Sequence, residues 1–243
     1  MPFTASHVAA VLPLARRPLV PSALVAGSLA PDLPYFALLR PVGGDYTHTW
    51  WGLVVVDVPI ALAALALYRA VLLRPLLALA PAAVRSRVAH LPAPRLGPAA
   101  AASALVGVVT HFAWDAFTHH DGWGVRLFPA LEDDVLGMPG FALAQWLSTV
   151  LGALVTLAWC ARQLSRMPRR PVPARYAPPA RPALVRTALA VFTAGFAAFT
   201  TTGDNSTDVL VSGSITVVTG ALAGVALYGA WRALRGERAT ADR

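Results

Sequence analysis

A chain of 243 residues that is 56% hydrophobic and only 13% charged, with a mean hydropathy of +0.58, is no ordinary soluble domain. Its formal charge of +8 owes nothing to lysine, which does not occur; the arginines cluster between apolar runs, which speaks against a nucleic-acid partner and for anionic membrane lipids as counterions. The single Cys160 excludes an intramolecular disulfide and a cysteine-rich zinc site.

Residues 1–49 are the least regular part. Met1 to Leu14 reads as a short helix carrying His7, and Arg16-Arg17-Pro18 breaks it. The two arginines follow the apolar run instead of preceding it, unlike a cleavable signal peptide. Pro21 to Ala30 starts a second helix. Pro31-Asp32-Leu33-Pro34 then interrupts, because proline on both sides of Asp32 demands a turn or a kink. Neither half is long enough to span alone, so a pair of half-helices or a re-entrant hairpin is expected. Irregular backbone at membrane depth must be buried in protein or line a polar cavity.

Gly43-Gly44-Asp45-Tyr46 reads as a turn, and Trp50-Trp51, after Thr47-His48-Thr49, as interfacial anchors opening a span over about 50–73. Asp57 lies nine residues from His48. On one continuous helix the two point to opposite sides, so Asp57 is expected to face a partner helix away from His48. Residues 74–98 are rich in Pro and Arg and read as a connection with a short surface helix; His90 there reads as a solvated loop residue. Further spans are expected over about 98–117, 141–160, 184–201 and 209–231, with Asp204 and Asp208 capping the last.

The expected fold is therefore all-α: an integral membrane helical bundle with about five clear transmembrane helices plus an N-terminal half-helix or re-entrant region. It is read as one membrane domain over residues 1–243, with a half-helix region at 1–49, a five-span bundle at 50–231 and a cytoplasmic tail at 232–243. Successive connections carry five arginines (Arg69 to Arg95), one (Arg126), seven (Arg162 to Arg186), none, and four in the tail. That alternation puts the Arg-rich connections and the C-terminus in the cytoplasm of a bacterial cell with the chain in its inner membrane. His48 and the end of the second span then share the outer face.

The second span ends in Thr110-His111-Phe112-Ala113-Trp114-Asp115-Ala116-Phe117-Thr118-His119-His120. At about 100° per residue, His111, Asp115 and His119 fall within roughly a third of the helix circumference. Two imidazoles and a carboxylate so spaced make a ligand face for a divalent metal. His7, Asp32 and His48 also sit at turns or span ends, and the set suits zinc first, with manganese or iron as alternatives. Such a site would lower the pKa of a bound water and present hydroxide to an ester or phosphoester, with Asp32 or Asp115 as ligand or general base. His120 points away from His111, Asp121 reads as a turn residue and Glu132-Asp133-Asp134 as a solvated acidic loop. Neither a nucleophile elbow nor a phosphate loop nor a dinucleotide fingerprint occurs.

Met-Pro-Phe-Thr-Ala-Ser-His, Ala-Gly-Ser-Leu-Ala-Pro-Asp-Leu-Pro-Tyr-Phe, Thr-His-Thr-Trp-Trp-Gly and His-Phe-Ala-Trp-Asp-Ala-Phe-Thr-His together resemble the bacterial multi-pass membrane family named domain of unknown function 4184. More distantly, the order His, Asp, His, His-x-x-x-Asp, His is similar to zinc-dependent phospholipase C and to membrane-bound metal-dependent hydrolases. That resemblance implies His7, Asp32, His48, His111, Asp115 and His119 as metal ligands or their neighbours. The chain lacks the phospholipase's late His and Glu four residues apart, so one or two metals are implied. The functional expectation is a metal-dependent hydrolase acting on a lipid-like ester or phosphoester at the outer face. The alternatives are a transporter or channel with an intramembrane His/Asp path, and a structural membrane protein without catalysis.

Overall fold

The computed structural model describes residues 4–39, 44–201 and 209–235. Among them, five helices are long and apolar enough to cross a bilayer: Leu53–Leu79, Pro98–Thr118, Gly140–Arg166, Pro182–Thr200 and Ser212–Leu234. The described strands are one two-residue pair, Asp134–Val135 with Met138–Pro139, turned by Leu136 and Gly137 at positive φ. The fold is an all-α membrane bundle, as the hydropathy pattern predicts.

Before the first span lie short helical pieces: Thr4–Leu14, Pro21–Leu29, a 3-10 turn Ala30–Asp32, Leu33–Leu38 and a single turn Gly44–Thr47. Pro21 occupies the first turn of its helix, where its missing N–H costs nothing. Pro31 and Pro34 bracket the 3-10 turn that carries Asp32, the expected kink. Gly43 of the expected turn, and the expected caps Asp204 and Asp208, lie outside the described residues.

The first span continues through Arg74 and Pro75 to Leu79, several residues beyond the expected end. A helical proline lacks an N–H, and its ring strikes the carbonyl four residues back. Two π turns, Leu53–Asp57 and Tyr68–Leu72, contain the carbonyls of Val55 and Val71 that Pro59 and Pro75 would strike. Their wider ladder takes up the clash, and the helix runs on.

The described residues fall into two compact units. One comprises residues 4–34, 44–65 and 94–161. At its centre Pro21–Leu29 crosses the second span, Pro98–Thr118. A Cβ at Gly27 would meet the Ala104 carbonyl, and one at Gly107 the Leu24 carbonyl, so glycine at both positions lets the backbones touch. Ser103 Oγ, on the second span, accepts the Val20 N–H at 2.9 Å at the start of the partner helix. The third span, Gly140–Arg166, has no fully buried residue; its Gly152 lies against Ser6.

The other unit comprises residues 35–39, 66–93, 162–201 and 209–235. Its fourth and fifth spans pack through Gly220 on Phe196 and Gly224 on Leu189 and Phe192. Arg85 Nη1 donates to the carbonyls of Ala78 (2.8 Å) and Ala80 (3.1 Å), and Arg186 Nε to that of Leu79 (2.9 Å), satisfying the orphan carbonyls where the first span ends. The surface helix Ala82–Val88 follows. His90 is exposed, with Nε2 2.8 Å from the Pro171 carbonyl, as expected of a loop residue.

Candidate metal centre

Four of the six histidines converge in the first unit. His111 and Asp115, one turn apart on the second span, bring Nε2 and Oδ2 within 3.2 Å. His7 reaches Asp115 Oδ1 at 3.5 Å from the N-terminal 3-10 turn. His48 Nε2 lies 3.8 Å from Asp115 Oδ2 and 3.7 Å from Asp32 Oδ1. Asp32 Oδ1 is also 3.7 Å from His111 Nε2. Two groups of three have their ligand atoms mutually within 4.8 Å: His7 with His111 and Asp115, and Asp32 with His48 and His111.

These separations carry chemical information. Most exceed the 2.7–3.2 Å or so of a good N–H···O bond. Donors about 2.1 Å from a tetrahedral ion stand about 3.4 Å apart, and the spacings here straddle that value. His7 Nε2, His111 Nε2, Asp115 Oδ1 and both Asp32 oxygens are buried without a well-aligned hydrogen-bond partner. Buried polar atoms are ordinarily satisfied. Five side chains that share the same few ångströms, four of them with such unsatisfied atoms, fit a divalent cation.

The outer contacts fix the tautomers. His111 Nδ1 lies 2.9 Å from the Ser28 carbonyl, which can only accept, so Nδ1 is a donor there and Nε2 is the nitrogen that faces the cluster, with a lone pair for an ion once it carries no proton. Thr47 Oγ1 sits 3.0 Å from His48 Nδ1 and 3.4 Å from the Gly44 carbonyl. The hydroxyl donates to that carbonyl and accepts from Nδ1, again leaving Nε2 inward. The His7 and His111 rings stack with centroids 3.9 Å apart, a spacing that requires at least one to be neutral. Burial, with the His111 charge next, pushes the His7 imidazole down to about 3. Burial likewise lowers that of His48 and raises the Asp32 carboxyl.

The site is graded in depth. His7, His111 and Asp32 are closed off, whereas the side chains of Asp115, His119 and His48 are 12%, 28% and 29% exposed. The exposed Trp50 and Trp51 follow His48 in the sequence, and the exposed Trp114 precedes Asp115.

His119 touches the cluster only at its edge. The helix ends at Thr118, His119 is extended, and its Nδ1 turns back toward the Asp115 carbonyl (3.3 Å) and Oδ1 (3.7 Å). It belongs to neither three-ligand group. His120 and Asp121 pair with each other at 3.6 Å on the surface, and the acidic loop is exposed, as expected.

The chain matches the family described as Domain of unknown function (DUF4184) over residues 1–230. It belongs to that family. The match takes in every residue of the cluster and all five spans up to Ala230. No curated protein and no solved structure matches the chain significantly. With five described helices long and apolar enough to cross a bilayer, this member of the DUF4184 family is a multi-pass integral membrane protein.

Two contributors were not read from the sequence. Thr47 orients His48, and its only signal is adjacency in Thr-His-Thr. A single helix from His48 onward would turn Asp57 away from the site. The backbone instead breaks at residues 48–51, and Asp57 is fully buried within Coulombic reach of His111 and Asp32.

Proposed function

We propose that this membrane protein is a metal-dependent hydrolase of lipid-like esters or phosphoesters, with His7, Asp32, His48, His111 and Asp115 holding zinc, or manganese or iron in its place. The observation that carries the reading is a set of imidazole nitrogens and carboxylate oxygens spaced at 3.2–3.8 Å, of which those of His7, His111 and Asp32 and Asp115 Oδ1 are buried without a well-aligned hydrogen-bond partner. When bound, such an ion supplies Lewis-acid polarisation of the scissile group and a more acidic water. Asp115, the more exposed of the two carboxylates, doubles as ligand and general base; Asp32, at depth, is a ligand. Imidazoles whose Nδ1 is committed to Ser28 and Thr47 present Nε2 inward without rearranging. The exposed Trp residues suit a headgroup at the water boundary with its apolar tail in the bilayer. The arginine count supports an outer-face site in a bacterial inner membrane, with the C-terminus in the cytoplasm.

The packing below the site favours this over an ion path. Along the first span, Asp57 is followed one and two turns on by buried Ala61 and Leu65, packed with Ala23, Ala100 and Ala104. A close apolar layer there favours a dead end.

The test is metal content by mass spectrometry on detergent-purified protein, wild type against the His111→Ala/Asp115→Ala double variant, followed by turnover of fluorogenic ester and phosphodiester lipid analogues. Near-stoichiometric metal that the variant loses, with turnover that follows it, is expected. Wild type without metal, purified in the absence of chelator, overturns the reading.

A further inference from the structure

Asp57 is the one buried ionisable side chain of the first unit that the scheme above does not use. It is 0% exposed, and neither carboxyl oxygen has a hydrogen-bond partner. It closes the π turn Leu53–Asp57, and that turn packs on the 3-10 turn that Asp32 closes. Asp32 is itself 1% exposed with both oxygens lacking a well-aligned donor; the Thr4 hydroxyl is its one neutral polar neighbour in the balance of charges around it. Two packed turns thus end in two buried carboxyl groups within Coulombic reach of each other. Buried carboxyl groups so placed either keep their protons or ionise against a cation that lies with them.

Ligand and charge counts agree. Both three-ligand groups draw on His111 Nε2, although that atom has a single lone pair and the ring's other nitrogen is committed to Ser28. Once ionised, Asp32, Asp57 and Asp115 bring three negative charges, one more than a single dication neutralises.

We propose that Asp57 and Asp32 hold a second divalent cation beneath the imidazole-ligated one, with the Asp32 carboxylate shared between the two. This rests on the metal reading of the His/Asp cluster. An all-oxygen inner pair favours a harder ion than the imidazole set does, so Mn²⁺, which accepts both environments, is the probe.

The experiment uses the full chain in detergent, stripped by chelator and reloaded with Mn²⁺, with bound metal counted by mass spectrometry and Mn–Mn coupling read by electron paramagnetic resonance. Wild type is expected to hold about two equivalents with a coupled-pair spectrum. Asp57→Asn is expected to keep about one, with a six-line single-ion spectrum, and Asp57→Glu to restore the pair. One equivalent in wild type overturns the second site and leaves the first standing; no metal in wild type overturns both. Two coupled equivalents in Asp57→Asn remove Asp57 from the site. The wild-type count decides the matter even where a variant fails to fold.

Discussion

At the scale of single residues, the cluster is set by which nitrogen of each ring is occupied. Thr47 is fully buried and its hydroxyl touches His48 Nδ1, so with the Gly44 carbonyl it helps to hold Nε2 inward without being a ligand. Replacing it by valine keeps the shape and removes one of these two acceptors. Thr47→Val is expected to weaken metal binding about 10–100-fold, the usual cost of losing an outer contact to a ligating histidine. Competition with a chromophoric chelator measures this; affinity equal to wild type would show that Thr47 does not orient His48. The neighbouring Thr49 makes a graded control. Its hydroxyl bonds only the local backbone, accepting from Gly52 N–H and donating to the Tyr46 carbonyl, so Thr49→Val should leave the affinity within about threefold, below the loss expected of a ligand-orienting contact.

Elements place these residues through close backbone contact. Ser28 and Asp32 reach the second span only because Gly27 and Gly107 let two helices approach to carbonyl contact. A methyl group at Gly107 meets the Leu24 carbonyl and the Ser28 nitrogen, both backbone atoms that cannot rotate away. Gly107→Ala is therefore expected to destabilise by about 1–3 kcal/mol, as overpacking does, and to lower metal affinity as Ser28 moves from His111. Gly195, with open space around its Cβ position, is the control: Gly195→Ala should raise helix stability slightly. Thermal unfolding in detergent compares the two, and equal effects would show that the close crossing does not govern the site. The same logic explains the extended first span. Its two prolines do not end the helix because a π turn precedes each, and one of those turns delivers Asp57.

For the whole molecule, the arginine asymmetry makes sidedness testable. In a Cys160→Ser background, Glu132→Cys in the exposed acidic loop should react with a membrane-impermeant maleimide in intact cells. Arg169→Cys, in the Arg-rich linker, should react only after permeabilisation. The reverse pattern would place the cluster toward the cytoplasm and remove the outer-face assignment. Scattered apolar exposure along the third span, from Trp146 to Leu157, needs no further partner, since a bilayer supplies it.

The sequence by itself determined the number of spans, the all-α class, the kink at Asp32 and the His111/Asp115 pair. Each of these follows from hydropathy, proline stereochemistry or the 3.6-residue period, which act within one element. Tertiary structure decided what no single element holds: that His7, Asp32 and His48 meet that pair, that His119 stays at the rim, and that Asp57 lies buried within Coulombic reach of His111 and Asp32. Periodicity cannot carry a direction across the backbone break at residues 48–51, nor does it specify how closely two helices cross. The glycine contacts and the packing of the two Asp-bearing turns supply that information, and they exist only once the chain is folded.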